Sequence, residues 1–306
     1  MNKTVLITGA NAGIGKESAR QLALKFGTEK IYLACRNMHK AKAAKLELEE
    51  STGKSIFEII IMDVSNIDSV RSAVQELETP IDALIMNAGG MGGKTPGAKT
   101  EDGVTNMFAS NVLGHIVLLD ELLKAKKLNN VALFAGTEAA RGIPKMKMKR
   151  PSLLTSSVEE FESIADGSYF GDKFNAMSSY GLVKYTAIMS LLSSARKHPN
   201  VRILSMSPGG TSGTEVANDM SFILRLMMKM MSKTLMPLMG MMHKLETGAK
   251  RFVDGISDET YETGIFYASK EKVLTGQVVD QATIFVDLEN ESYQDNAYDA
   301  IHKFIR

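Results

Sequence analysis

Thr4-Val-Leu-Ile-Thr-Gly-Ala-Asn-Ala-Gly-Ile-Gly15 is the stretch on which the fold turns. Val5, Leu6 and Ile7 form a short apolar run, the pattern of a buried strand. The run breaks into a loop with glycines at 9, 13 and 15, and a helical pattern follows at once in Lys16, Glu17, Ala19, Leu22, Ala23 and Phe26. A strand, a glycine turn and a helix N-terminus present unpaired backbone N–H groups and the positive end of a helix dipole, which suits a phosphate anion. Gly9 permits the tight turn, Gly13 lets a pyrophosphate approach the backbone, and Gly15 lets the helix pack close to the strand. Asn11 and Ile14 complete the candidate loop. The spacing Gly-x-x-x-Gly-x-Gly departs from the commoner Gly-x-Gly-x-x-Gly, so the strand and helix on either side carry the reading.

Working outward, strands are expected at 4–8, 30–35, 56–62, 81–86, 131–135, 201–206 and 277–280. Helical patterns lie between them near 14–26, 38–51, 66–78, 101–127 and 178–197. Short, near-continuous apolar strands separated by helices predict a parallel sheet covered on both faces. Right-handed crossovers make it an α/β doubly wound sheet of the Rossmann type. No linker or repeat divides the chain, so residues 1–306 are expected to form a single domain.

Composition narrows the function. A net charge of +1 gives no nucleic-acid surface. The single cysteine, Cys35, excludes an internal disulfide and fits a reducing cytoplasm. With the first strand opening near residue 4, no leader peptide is expected. No uninterrupted apolar stretch is long enough to span a membrane. Nothing in the sequence suggests a metal site.

In doubly wound sheets the ligand lies outside the carboxyl ends of the strands. Strand two ends in Cys35-Arg36-Asn37. An NAD site places a carboxylate here; Cys35 stands instead, and Arg36 offers a forked cation for a 2′-phosphate, which favours NADP(H) over NAD(H). Strand three ends in Asp63-Val64, where Asp63 suits an adenine amino group and Val64 its ring; the alternative is a helix cap. Strand four ends in Asn87-Ala88-Gly89, where Asn87 can tie neighbouring strands together. Asn111 sits among Phe108, Val112, Leu113 and Ile116 in the next helix and reads as structural. Strand five ends at Thr137, whose hydroxyl faces the site. Tyr180 and Lys184 are four apart at the start of a helix and share a face, so the cation is expected to lower the phenol's pKa toward neutrality. Tyr169 and Lys173 repeat the spacing, but in a glycine-bearing loop. Strand six ends in Pro208-Gly209, with Thr214 placed to bond a carboxamide.

Taken in order, Thr8-Gly9-x-x-x-Gly13-x-Gly15, Asp63, Asn87-Ala88-Gly89, Asn111, Tyr180-x-x-x-Lys184 and Pro208-Gly209 resemble the short-chain dehydrogenase/reductase family over nearly the whole chain. Ala-Cys-Arg-Asn at strand two is similar to its retinol-dehydrogenase-like and carbonyl-reductase-like members. The resemblance implies an oxidoreductase that moves hydride between NADP(H) and a carbonyl or alcohol carbon. Tyr180 would exchange the proton, Lys184 would hold the nicotinamide ribose, and Asn111 would order a water. Thr137 stands where the family has Ser. A cofactor-binding sensor or scaffold without turnover is the alternative. The segment from about 141 to 178 is longer than usual in the family; by analogy it covers a dimerisation face, leaving monomer or homodimer open.

Residues 220–244 carry nine methionines among the chain's 20, with basic breaks at Arg225, Lys229 and Lys233. Met adapts to loosely shaped apolar ligands. The stretch, within a lid of about 212–247, is therefore expected to cover a bulky apolar carbonyl or alcohol substrate. A peripheral membrane contact through the same face, on a cytoplasmic protein, is the competing expectation.

Overall fold

The computed structural model describes residues 2–25, 27–144, 148–212 and 240–305, without the side chains of residues 172 and 173. The strands are β1 (Thr4–Thr8), β2 (Lys30–Cys35), β3 (Phe57–Ile61), β4 (Ile81–Met86), β5 (Leu128–Ala135), β6 (Arg202–Met206), β7 (Phe266–Ser269) and β8 (Val278–Asp280). They form one sheet in the order β3-β2-β1-β4-β5-β6-β7-β8. All neighbouring pairs are parallel except β7 with β8. The order reverses between β1 and β4, where Ile7 lies beside Leu33 on one side and Ile85 on the other. This is the doubly wound sheet expected from the strand pattern, and the reversal leaves a crevice at the carboxyl ends.

Alternate residues of each strand feed two cores, because side chains of a pleated strand point to opposite faces. Val5, Ile7, Ile31, Leu33, Ala83, Ile85, Val131 and Leu133 pack beneath α1 (Gly13–Leu24), α2 (Met38–Thr52) and, later in the chain, Leu245–Ser257. Leu6, Tyr32, Leu84, Met86, Ala132 and Phe134 pack on the opposite face. That face is covered by α3 (Ile67–Glu76), α4 (Gly114–Lys124), α5 (Val158–Asp166) and α6 (Ala176–Lys197), and the helix at Leu245–Ser257 is then α7 and Glu291–His302 is α8.

Three elements differ from the sequence expectation. The helix expected over 101–127 starts only at Asn106, capped by Thr105, and passes through a π-helical turn, Ala109–Leu113, before α4. The acidic stretch at 159–162 lies on α5, whose Phe161, Ile164 and Ala165 are wholly buried, so this part of the insertion is anchored to the core. Helix α7 was not expected at all; it buries Phe252, Val253 and Ile256. The segment 264–280 forms an edge hairpin as read, with β7 also paired to β6. Among the described residues, no helix is long and apolar enough to cross a membrane.

Candidate active site

The glycine loop joins β1 to α1 as the sequence implies. Gly9 and Gly13 have φ of 65° and 53°, values that favour glycine. A Cβ on Gly15 would lie 2.6 Å from the Gly9 carbonyl oxygen and from Asn87 Nδ2, so this position admits no side chain. A Cβ on Gly13 would meet nothing, which leaves that backbone open to a ligand. Helices α2, α3, α5, α6 and α8 begin with a side-chain cap from Asn37, Asn66, Ser157, Asn175 and Asn290. Helix α1 begins at Ala12 with no capping side chain and no acid in its first turn. Its orphan N–H groups and dipole therefore face the crevice with no anion from the cap or the first turn to satisfy them. These features fit a bound pyrophosphate.

Thr8 and Asn87 close the reversal point. Thr8 Oγ1 accepts the N–H groups of Asn87 and Ala88, each at 2.9 Å, and lies 3.0 Å from His115 Nε2. With both acceptor sites used, its own hydrogen goes to His115. Asn87 Nδ2 donates to the Thr8 carbonyl at 2.9 Å, tying β4 to β1 as expected. Burial, and then the charge of Lys184, lowers the His115 pKa to about 3, so this imidazole is neutral.

At the end of β2, Cys35 is buried and Arg36 is exposed. The Cys35 sulfur lies against the N–H groups of Ala10 and Asn11, and burial raises its pKa to about 11. Asn37 caps α2 by accepting the Lys40 N–H at 2.9 Å. Asp63 Oδ1 accepts both the N–H and the hydroxyl of Ser65. Asn66, not Asp63, caps α3, which removes the helix-cap alternative for that carboxylate. Val64 supports the site through its backbone: a Cβ on Gly114 would meet the Val64 carbonyl oxygen.

Tyr180 and Lys184 on α6, Asn111 in the π-helical turn and Thr137 after β5 converge from three elements. The Lys184 side chain is 2% exposed; Nζ donates to the Ala135 carbonyl at 3.0 Å, at the end of β5. It lies 4.4 Å from the centre of the Phe134 ring and 6.0 Å from that of Tyr180. Asn111 lies in the π-helical turn, which points its amide at the loop after β4. Nδ2 donates to the carbonyls of Gly90 at 2.8 Å and Met107 at 2.9 Å, and Oδ1 accepts the Gly90 N–H at 3.1 Å. A Cβ on Gly89 would sit 2.5 Å from Asn111 Oδ1 and 3.8 Å from Lys184 Nζ, so this glycine lets both groups reach the loop. Thr137 caps the 3-10 turn Glu138–Arg141, accepting the Ala139 N–H at 3.2 Å. Tyr180 packs beside Ala139, Ile143, Met148, Met241 and Leu274, an apolar wall.

One expectation is corrected. Tyr180 does not have a lowered pKa; burial, with the charge of Glu138 added, raises it to about 12. Burial also lowers Lys184 to about 7, so a full cation is not assured beside the phenol. This environment holds Tyr180 protonated at neutral pH.

Charged residues missed by the sequence reading lie beneath this site. Glu138 and Arg251 are both buried, as is Arg141, whose guanidinium donates to the carbonyls of Ser269 and Lys270 beyond β7. No local pattern announces them, because their partners are distant in sequence. Gly209 takes a φ of 75°, and a Cβ there would lie 2.5 Å from the Leu274 carbonyl oxygen. Pro208 offers its carbonyl to His243 Nε2 at 2.7 Å, and Thr211 pairs with His243 as a parallel bridge. The chain thus leaves and re-enters beside the site at residues 211 and 243. Thr214 and most of the Met-rich stretch lie outside the described residues, as does the side chain of Lys173. Among the described residues, no cluster of His, Cys, Asp or Glu could hold a metal.

Comparison with known proteins agrees with the geometry. The family described as short chain dehydrogenase matches residues 3–132. Retinol dehydrogenase 13 of Homo sapiens is 40% identical over 128 residues, 41% of this chain and 38% of that protein. A short-chain dehydrogenase/reductase of Penicillium roqueforti is 29% identical over 214 residues, 68% of this chain and 57% of that one. The match therefore spans well under two thirds of these relatives. L-sorbose reductase of Gluconobacter frateurii, solved with NADPH and L-sorbose, superposes with a TM-score of 0.63 at 18% identity, covering 90% of this chain and 97% of that one. NADPH-bound carbonyl reductase from chicken fatty liver gives 0.57 at 16% identity, covering 90% and 99%. The fold is that of these solved reductases, and residues 3–132 carry the match to the short chain dehydrogenase family.

Proposed function

We propose that this protein is an NADP(H)-dependent oxidoreductase acting on a carbonyl or alcohol carbon of an apolar substrate. The observation that carries the reading is the meeting of Tyr180 and Lys184 with an uncapped, acid-free α1 N-terminus across one crevice. When bound, the cofactor supplies or accepts the hydride. Gly9, Asn11, Gly13, Ile14 and Gly15 would hold its pyrophosphate, and Arg36 with Asn37 its 2′-phosphate. Asp63 and Val64 would bind the adenine. Asn87, Ala88, Gly89, Pro208, Gly209 and Thr214 would line the rest.

Tyr180 is held as a neutral phenol, so it donates a proton to a substrate oxygen in the reductive direction. Thr137 keeps its hydroxyl hydrogen free to orient that oxygen, because its capping bond uses only an acceptor site. Lys184 holds the cofactor ribose, and Asn111 fixes the loop beneath it. The wall of Ile143, Met148, Met241 and Leu274 supports an apolar substrate.

Oxidation of NADPH by a panel of aldehydes, ketones and apolar retinoid-like carbonyls, with NADH in parallel, tests this. Turnover is expected with NADPH. Arg36→Ala should weaken NADPH binding about tenfold or more and leave NADH binding unchanged, since a charge-assisted bidentate pair is lost. Tight NADPH binding without turnover on any carbonyl would instead favour a cofactor-binding sensor.

A further inference from the structure

Glu138 takes no proton in the chemistry above, yet three strand ends converge on it. Its side chain is 3% exposed and follows Thr137 directly in sequence. Oε2 accepts the Ser207 hydroxyl at 2.5 Å, and Oε1 accepts the Ser269 N–H at 3.1 Å. Ser207 Oγ in turn accepts the Gly209 N–H at 3.0 Å, which fixes the Pro208-Gly209 loop after β6. Arg251 stands behind at 3.8 Å from Oε1 and spends its donors on the Ser207 carbonyl, Ser269 Oγ and the Gly276 carbonyl. One carboxylate therefore joins the ends of β5, β6 and β7.

The same turn touches the tyrosine helix. A Cβ on Gly181, the residue after Tyr180, would lie 2.8 Å from the Ala139 carbonyl oxygen, so α6 rests directly on the turn that Glu138 anchors. A buried carboxylate is expensive to desolvate, and an apolar residue of the same size would hold three strand ends together at lower cost. Its charge and its directional acceptors are what an apolar residue would lack.

We propose that Glu138 is a positioning residue of the reaction, fixing the Thr137 turn and the Ser207–Gly209 loop against Tyr180 and holding a negative charge near the phenol. The proposal rests on the reductase reading. The titratable and charged groups around Tyr180 are Lys184 on its own helix and Glu138 on the turn. Behind these stand Arg251 on α7, Arg141 at the end of the turn and His115 on α4. Of these, Glu138 is the group that raises the phenol's pKa after burial itself.

Two readouts test this. The first is the ultraviolet titration of Tyr180, taken as the difference between each protein and its Tyr180→Phe counterpart, which needs no turnover. The second is kcat against KM for NADPH oxidation. Glu138→Gln should bring the onset of Tyr180 ionisation down by about one pH unit, because a like charge is removed. Glu138→Asp and Ser207→Ala keep the charge and break the contacts; they should leave the onset in place and lower kcat about tenfold, more than they change KM for NADPH. If Glu138→Gln does not fold, these two variants decide alone. An unmoved onset in Glu138→Gln, or wild-type kcat in both charge-retaining variants, would overturn the proposal. A wild type that turns over no carbonyl would sink the reductase reading separately, and the titration would still report on Glu138.

Discussion

At Lys184 an ammonium is held out of water by a carbonyl and an aromatic ring, with no carboxylate beside it. Burial is the reason its folded pKa falls from 10.5 to about 7. The sign follows directly. The unfolded chain keeps its proton up to about 10.5 and the folded chain releases it near 7, so the stability cost is largest at pH 7 and below and fades as pH rises. Lys184→Met, of similar length and uncharged, should therefore melt no lower than wild type at pH 7, while its reductase activity collapses. Its advantage in melting temperature should shrink between pH 7 and 10. A variant that melts lower than wild type at pH 7 would contradict this account of the residue. The tyrosine teaches the complementary lesson. The four-residue spacing shows that Lys184 and Tyr180 share a face, but burial is a tertiary property, and burial decides which way the phenol shifts.

At the scale of elements, most of what was legible came from parallel strands. A strand buried on both faces is a near-continuous apolar run, so β1, β2 and β4 could be bounded to the residue. Helix α5 was missed because its apolar positions, Phe161, Ile164 and Ala165, are few and set among Glu159, Glu160 and Glu162. Helix α7 was missed because it follows a methionine run whose spacing obscures its start. The π-helical turn at Ala109–Leu113 has no sequence signature, yet it aims Asn111 at Gly90 and turns a residue that reads as structural into part of the site. The junction of β1 with α1 was legible because glycine is demanded there by geometry. Gly15→Ala would place a methyl 2.6 Å from the Gly9 carbonyl oxygen. It should destabilise the fold by about 1–3 kcal/mol, as overpacking does, and weaken NADPH binding with it. Chemical denaturation and cofactor titration measure the two effects, and an unchanged affinity would mean that this junction does not hold the cofactor.

Across the whole molecule, the two halves of the sheet divide the work. On the proposed reading, strands β1 to β4 and their loops would carry the phosphate, adenine and 2′-phosphate positions, and β5 to β7 would carry the proton chemistry above the buried charges. The family match over residues 3–132 covers the first half, and among the described residues the same sheet runs on to β8. A cofactor laid along the crevice would contact both halves and bind only the folded chain. NADPH at a hundred times its dissociation constant should then stabilise the protein by about 2.7 kcal/mol. NADH at the same concentration should give a smaller rise in melting temperature, and equal rises would remove Arg36 from the account of cofactor choice.

The central claim is that Tyr180 passes the proton on an NADP(H) site, and one comparison tests it most directly. The initial rate of NADPH oxidation with a responsive apolar carbonyl is measured for wild type and Tyr180→Phe, with NADPH affinity determined for both. The account predicts a fall in kcat of about a hundredfold or more in the variant, in the range of general acid catalysis, with cofactor affinity essentially unchanged. Turnover that survives in Tyr180→Phe would contradict it.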